Sequence, residues 1–148
     1  MTTVTTDNRF DHPFGCEIDL EQLTELLDAS ASWESKNRLL VQLSKQLPDW
    51  QSHFKIPTLK VAGCESQVWL DVKPSDSGWR LAADSDSRIV KGLLALVLCA
   101  FNQKNNQEID AFDFEDWLNQ RGMQRFLSAS RGNGLRAITQ EIKRKTQP

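Results

Sequence analysis

The sequence predicts an α+β domain in which a small antiparallel sheet is covered by helices. Three observations lead there. Apolar residues recur at helical spacing before residue 50, the period shortens to two between residues 59 and 83, and helical spacing returns from residue 88 onward. Strands and helices segregated along a chain in this way give α+β architecture, and a sheet this small needs helices packed against it.

Asp19 precedes Leu20, Leu23, Leu26 and Leu27, with Gln22 three residues after it, the pattern of a capping box at the start of a first helix. Ser32 is placed to cap a second helix, with Trp33, Leu40, Leu43 and Leu47 on one core-facing stripe until Pro48 stops it. After an irregular stretch, Leu59 and Val61 alternate with polar neighbours, and then Val68, Leu70 and Val72 alternate with Trp69, Asp71 and Lys73. Residues 74–78 supply turn chemistry before Trp79, Leu81 and Ala83. This reads as three short antiparallel strands with one covered face, and Trp69 points to the side opposite Val68 and Leu70. The segment AGCES at 62–66 connects the first two strands, where Gly63 permits a turn that other residues resist, and Cys64 sits at its tip.

Ser85, Asp86 and Ser87 offer capping side chains to a helix over 88–101 that has almost no polar face past Lys91, so it is the central buried one. Asp113 caps a helix over 114–119 that Gly122 ends. Leu135, Ile138 and Ile142 mark a last helix with Lys143, Arg144 and Lys145 at its negative end.

A chain of 148 residues, 39% hydrophobic and 26% charged, fits one domain over 1–148, with the polar residues 1–11 as a loose arm. The longest apolar run, 93–101, is far short of the roughly 20 residues of a membrane helix, and no basic and apolar leader begins the chain. Three cysteines without CxxC spacing suit a reducing cytoplasm. The formal charge of -2 argues neither for a nucleic-acid binder nor for an acidic tail, and no direct nucleic-acid partner is expected; the chain is acidic over residues 1–30 and basic over 121–148, and a reading as an RNA binder through Arg121 to Lys145 rests on that charge alone.

Nucleotide-binding glycine fingerprints, HExxH and GxSxG are all missing from the sequence. Two histidines, His12 and His53, provide poorly for general-base chemistry and read as surface or packing residues. Cys99 lies inside an apolar helix and reads as inert core, whereas Cys16 follows a loop and is accessible. Cys64 differs from both, because a thiol on a glycine-containing turn can move and can be reached by another protein.

The stretch VAGCESQVWL at 61–70 resembles the cysteine-loop signature of the SufE and CsdE family of sulfur-acceptor proteins. Trp33 and Glu34 with Lys36, leading to Leu47 and Pro48, resemble that family's early helix, and DSDSRIVKGLL at 84–94 resembles the start of its central helix. LSASR at 127–131, with Gly134 and Leu135 after it, is similar to the C-terminal motif, and HPFG at 12–15 resembles the CsdE branch in particular. The matches run in order over nearly the whole chain. Asn37 replaces a usual aromatic residue, Ser44 a frequent glycine, and Cys16 and Cys99 are extra thiols.

This resemblance implies a two-layer SufE/NifU-like domain without a bound cofactor or metal. It implies an accessory protein with no turnover of its own, which takes persulfide sulfur from a pyridoxal-phosphate cysteine desulfurase of the CsdA or SufS type. Cys64 carries the sulfur, with Gly63, Glu65 and Ser66 as its supporting loop. Arg131 matches the family's C-terminal arginine and stabilises a thiolate or persulfide anion, or else forms a surface ion pair. Asp86 matches an acidic position that touches the desulfurase or simply serves as a helix-terminal carboxylate. The free protein is expected to be a monomer that docks on its partner and passes sulfur to iron-sulfur cluster assembly or tRNA modification. A competing reading makes the chain an iron-sulfur or zinc scaffold that uses Cys16, Cys64 and Cys99.

Overall fold

The computed structural model describes residues 7–64, 66–124 and 129–147, with only the backbone of 129 and 130. Glu65, residues 125–128 of the C-terminal motif and residues 1–6 of the expected arm lie outside the described residues.

Helix α1 (Leu20–Ala29) opens with the expected capping box: Asp19 Oδ1 accepts the Gln22 N–H and Gln22 Oε1 accepts the Asp19 N–H, each at 2.8 Å. In α2 (Trp33–Ser44) the Ser32 hydroxyl accepts the Ser35 N–H at 3.1 Å. This helix stops four residues short of Pro48, and Leu47 reaches the core from beyond its end. Trp33, in the first turn, is 43% exposed and does not join the core stripe. Two short helical turns, Ser52–Phe54 and Pro57–Leu59, lead toward the sheet.

The sheet has two antiparallel strands, β1 (Val68–Ser75) and β2 (Gly78–Ser85), in register from Val68 opposite Ser85 to Ser75 opposite Gly78. The third strand expected around Leu59 and Val61 is reduced to one bridge, Lys60 opposite Trp69, with the Val61 N–H donating to Val68 O at 2.8 Å. Pro57 starts a helical turn and Gly63 reverses the chain, so too few extended residues remain between them to build a ladder.

Both faces of this sheet are covered, which corrects the expectation of one. Val68, Leu70, Leu81 and Ala83 face the main core. Trp69 does point the other way, but it is 7% exposed and packs with Phe10, Trp50 and Ala82 in a second cluster. The arm expected over residues 1–11 is therefore packed from Arg9 onward: the Arg9 guanidinium pairs with Asp7 and Asp71 and lies 3.9 Å over the Phe54 ring and 4.8 Å from that of Trp50.

Helix α3 (Arg88–Phe101) is buried from Val90 to Phe101 and forms the centre of the domain. At its end Asn102 donates to Phe14 O at 2.8 Å and accepts the Leu81 N–H at 2.7 Å, so one side chain joins the N-terminal segment, α3 and the free edge of β2. Helix α4 (Asn106–Ala111), too short to show a period, carries its own capping box from Asn105 and Glu108. Helix α5 (Phe114–Gln120) is capped by Asp113 as expected, and α6 (Ala129–Lys145) buries Leu135, Ile138 and Ile142.

His12 is a buried packing residue. Its Nε2 lies 2.8 Å from Leu81 O and its Nδ1 accepts the Phe14 N–H at 3.3 Å, an arrangement that suits the neutral ring. Desolvation holds its pKa below the ordinary histidine value, opposed in part by the hydrogen bond to Leu81. A depressed folded-state pKa contributes stability that is full above the unfolded histidine pKa and is lost as pH falls through the folded value. Urea midpoints should accordingly fall more steeply between about pH 7 and pH 5 in the native chain than in His12→Gln, and parallel profiles would contradict this.

Candidate functional site

Gly63, at φ +88°, reverses the chain just before Cys64, a conformation that side-chain-bearing residues rarely adopt. The turn rests on α6: a Cβ built on Gly63 would lie 3.5 Å from that of Ala137. Ala62 and Gly63 are exposed while Cys64 is half-buried, so the loop turns its thiol inward. The Cys64 Sγ–H donates to Gly134 O at 3.6 Å.

Beside the thiol is a cavity of about 120 Å³. Val68 from β1, Val90 and Leu93 from α3, and Leu135 and Ile138 from α6 form its apolar wall, and Ser66 and Arg131 are its polar lining. The cavity therefore lies where the sheet, the central helix and the last helix meet. Burial pushes the Cys64 thiol above its ordinary pKa, so the resting sulfur is held protonated.

Of the residues singled out from sequence, Cys64, Ser66 and Arg131 line this one cavity, and Gly63 shapes the turn above it. Asp86 is not in the cavity. Its carboxylate accepts the Gln67 N–H at 3.1 Å and its own N–H donates to Gln67 O at 3.4 Å, which fastens the end of the cysteine loop to the start of α3. Ser87, not Asp86, caps that helix through the Val90 N–H. Sequence reasoning did not assign the walls from Val90, Leu93 and Ile138 to a site, because their pattern signals only burial. Nor did it give a role to Gly134, against which the thiol packs.

The other thiols lie elsewhere. Cys16 is exposed and its Sγ accepts the Gln103 Nε2–H at 3.2 Å, while Cys99 is buried and donates to Ile18 O at 3.3 Å. Among the described residues no group of three or more His, Cys, Asp or Glu side chains could hold a metal ion, so Cys16, Cys64 and Cys99 are not assembled as a ligand set. Desolvation pushes the Cys99 thiol up to about 12. Alkylation of the native protein should accordingly modify Cys16 first, Cys64 more slowly, and Cys99 only on unfolding. Peptide mapping of a time course with iodoacetamide checks the order, and modification of Cys64 as fast as Cys16 would contradict the inward-turned thiol.

The glycine turn thus places a half-buried thiol beside an apolar-walled cavity in an α+β domain. The chain belongs to the SufE family: the family model, described as an Fe-S metabolism associated domain, matches residues 21–146. It is 37% identical over 132 residues to the sulfur acceptor protein CsdE of Escherichia coli (strain K12), covering 88% of this chain and 90% of that relative. The solution structure of a hypothetical protein from Thermus thermophilus shares the fold, with a TM-score of 0.70 at 16% identity over 86% of this chain and 92% of that one. Among the described residues no helix is long and apolar enough to cross a membrane.

Proposed function

We propose that this chain is a sulfur acceptor that takes sulfane sulfur as a persulfide on Cys64 from a pyridoxal-phosphate cysteine desulfurase, stimulates that enzyme by clearing its persulfide, and hands the sulfur on. The observation that carries this reading is the half-buried Cys64 thiol at the tip of a turn, beside a cavity large enough for added sulfur. Attack on a sulfur centre requires a thiolate, and transfer rate rises with ionised fraction and access. At rest, burial opposes ionisation, so the loop carries Cys64 outward when the desulfurase docks, and back again to shield the product from water and reductant.

Two neighbours assist. Arg131, at the cavity wall, offers positive charge to the thiolate or persulfide anion. Asp86 braces the loop through Gln67 and, being exposed, also meets the docked enzyme. The partner is of the CsdA or SufS type, and the chain, a cytoplasmic monomer when free, has no turnover without it. The sulfur passes to a downstream acceptor in iron-sulfur cluster assembly or tRNA modification.

The test is intact mass and peptide mapping after incubation with a cysteine desulfurase and L-cysteine. One reducible added sulfur on Cys64 is expected. No added sulfur in the presence of an active cognate desulfurase, or equal labelling of Cys16, would overturn the reading. Stoichiometric iron or zinc in anaerobically purified protein would return the scaffold reading in its place.

A further inference from the structure

We propose that the space left by the missing side chain at Gly134 is where the outer sulfur of the Cys64 persulfide is held, which makes Gly134 a positioning residue for the carried sulfur. This rests on the sulfur-acceptor reading. Gly134 is buried inside α6, where glycine is a poorer helix former than any residue but proline. Helical preference alone would favour alanine there. A Cβ at this position would touch Cys64 on three atoms, at 3.5 Å from Sγ, 3.7 Å from Cα and 3.8 Å from Cβ. These are ordinary van der Waals separations, so an alanine would fit against the reduced thiol.

It would, however, fill the space next to the sulfur on that side of the cavity. Cys64 Sγ and Gly134 both line the cavity, and the Gly134 carbonyl is the acceptor for the thiol. An outer sulfur extends about 2 Å beyond Sγ, so a methyl group already in contact with Sγ competes with it for that part of the cavity. Gly132, two residues earlier in α6, provides the comparison: a Cβ built there meets nothing within 4 Å. The two glycines share one helix and one propensity, and differ in what a methyl would displace.

The chemistry balances without an oxidant. The Cys64 thiolate attacks the outer sulfur of the donor's cysteine persulfide, and a new S–S bond forms to Cys64 Sγ. The S–S bond of the donor breaks, and the donor cysteine leaves with the electron pair as a thiolate. The transferred sulfur then lies beyond Cys64 Sγ, in the volume that Gly134 leaves open.

The experiment loads wild type, Gly134→Ala and Gly132→Ala with a cysteine desulfurase and L-cysteine. It measures persulfide occupancy of Cys64 by mass, its lifetime after the donor is removed, and the iodoacetamide rate of Cys64 in the reduced proteins. Gly134→Ala should lower occupancy or lifetime by at least about fivefold, as expected for overpacking a filled site. Its reduced-thiol alkylation should match wild type, and Gly132→Ala should match wild type in persulfide occupancy, lifetime and alkylation rate. Thermal melts should place both variants at or above wild type, so a loss of sulfur cannot be ascribed to unfolding. Wild-type occupancy and lifetime in Gly134→Ala would overturn the assignment. So would an equal fall in alkylation and persulfide, since that marks lost access to the thiol and not lost room beyond it. Absence of persulfide on wild type itself would instead sink the sulfur-acceptor reading.

Discussion

Cys64→Ser is expected to reduce sulfur acceptance to background and to return the desulfurase to its rate without an acceptor, because a serine hydroxyl is not ionised near neutral pH and forms no persulfide. The substitution is close to isosteric. The Cys64 sulfur is half-buried and its hydrogen goes to Gly134 O at 3.6 Å, a long sulfur contact that serine reaches as a hydroxyl bond only after the loop shifts inward by a few tenths of an ångström, and its loss costs little at a half-buried site. Stability should therefore change by no more than about 1 kcal/mol. The measurement is desulfurase turnover with increasing amounts of each protein, read alongside a urea melt. Cys16→Ser and Cys99→Ala serve as comparisons, since Cys16 is exposed and Cys99 is buried against Ile18, and both should stimulate as wild type does. Full stimulation by Cys64→Ser would show that docking, not sulfur acceptance, activates the enzyme.

What was legible in the sequence was chiefly local. The Asp19 and Gln22 pair, Ser32 and Asp113 each cap the helix expected of them, because a cap is a contact between residues a few positions apart. The central helix was readable from its apolar run, which is buried from Val90 onward. Long-range coverage was not readable. Nothing near Phe10 or Trp50 in sequence says that they cover Trp69, so the second face of the sheet seemed open when it is closed. The third strand failed for the same reason in reverse: alternation at Leu59 and Val61 is a local signal, while a ladder needs a partner over several residues, and the chain turns at Gly63 first. At the site, the residues alone marked Cys64 as a thiol on a turn, and the sulfur-carrying role proposed for it came from family resemblance. The cavity is a property of three elements meeting, which no single segment announces.

The second large effect is expected at Asp84, whose carboxylate is 2% exposed and tied to four groups. Its Oδ2 accepts the Trp50 N–H at 2.9 Å, its Oδ1 accepts the Ser85 N–H at 2.8 Å, Lys91 Nζ of α3 is 3.2 Å away, and Lys55 lies at 4.0 Å. These contacts join the end of β2, the segment after α2 and the central helix. Asp84→Ala removes the acceptor for two buried backbone N–H groups, and among the described residues it leaves Lys91, itself 11% exposed, with the largely exposed Asp49 as its one ion partner. Breaking a buried pair from one side costs about 3–5 kcal/mol, a large part of the roughly 5–15 kcal/mol that holds a domain folded. Urea denaturation should show that loss. A double-mutant cycle with Lys91→Met separates its parts. With both charges gone no ion is stranded, so the double variant should be more stable than the two single losses predict by about 1–3 kcal/mol. Strict additivity would mean that the backbone N–H groups, and not Lys91, are what Asp84 serves. The outcome bears on the site as well, because Lys91 follows Val90 and precedes Leu93 by two residues, and those two side chains form one wall of the cavity beside Cys64. If the ion cluster fixes the start of α3, its loss should shorten the lifetime of the Cys64 persulfide in whatever fraction of the protein remains folded.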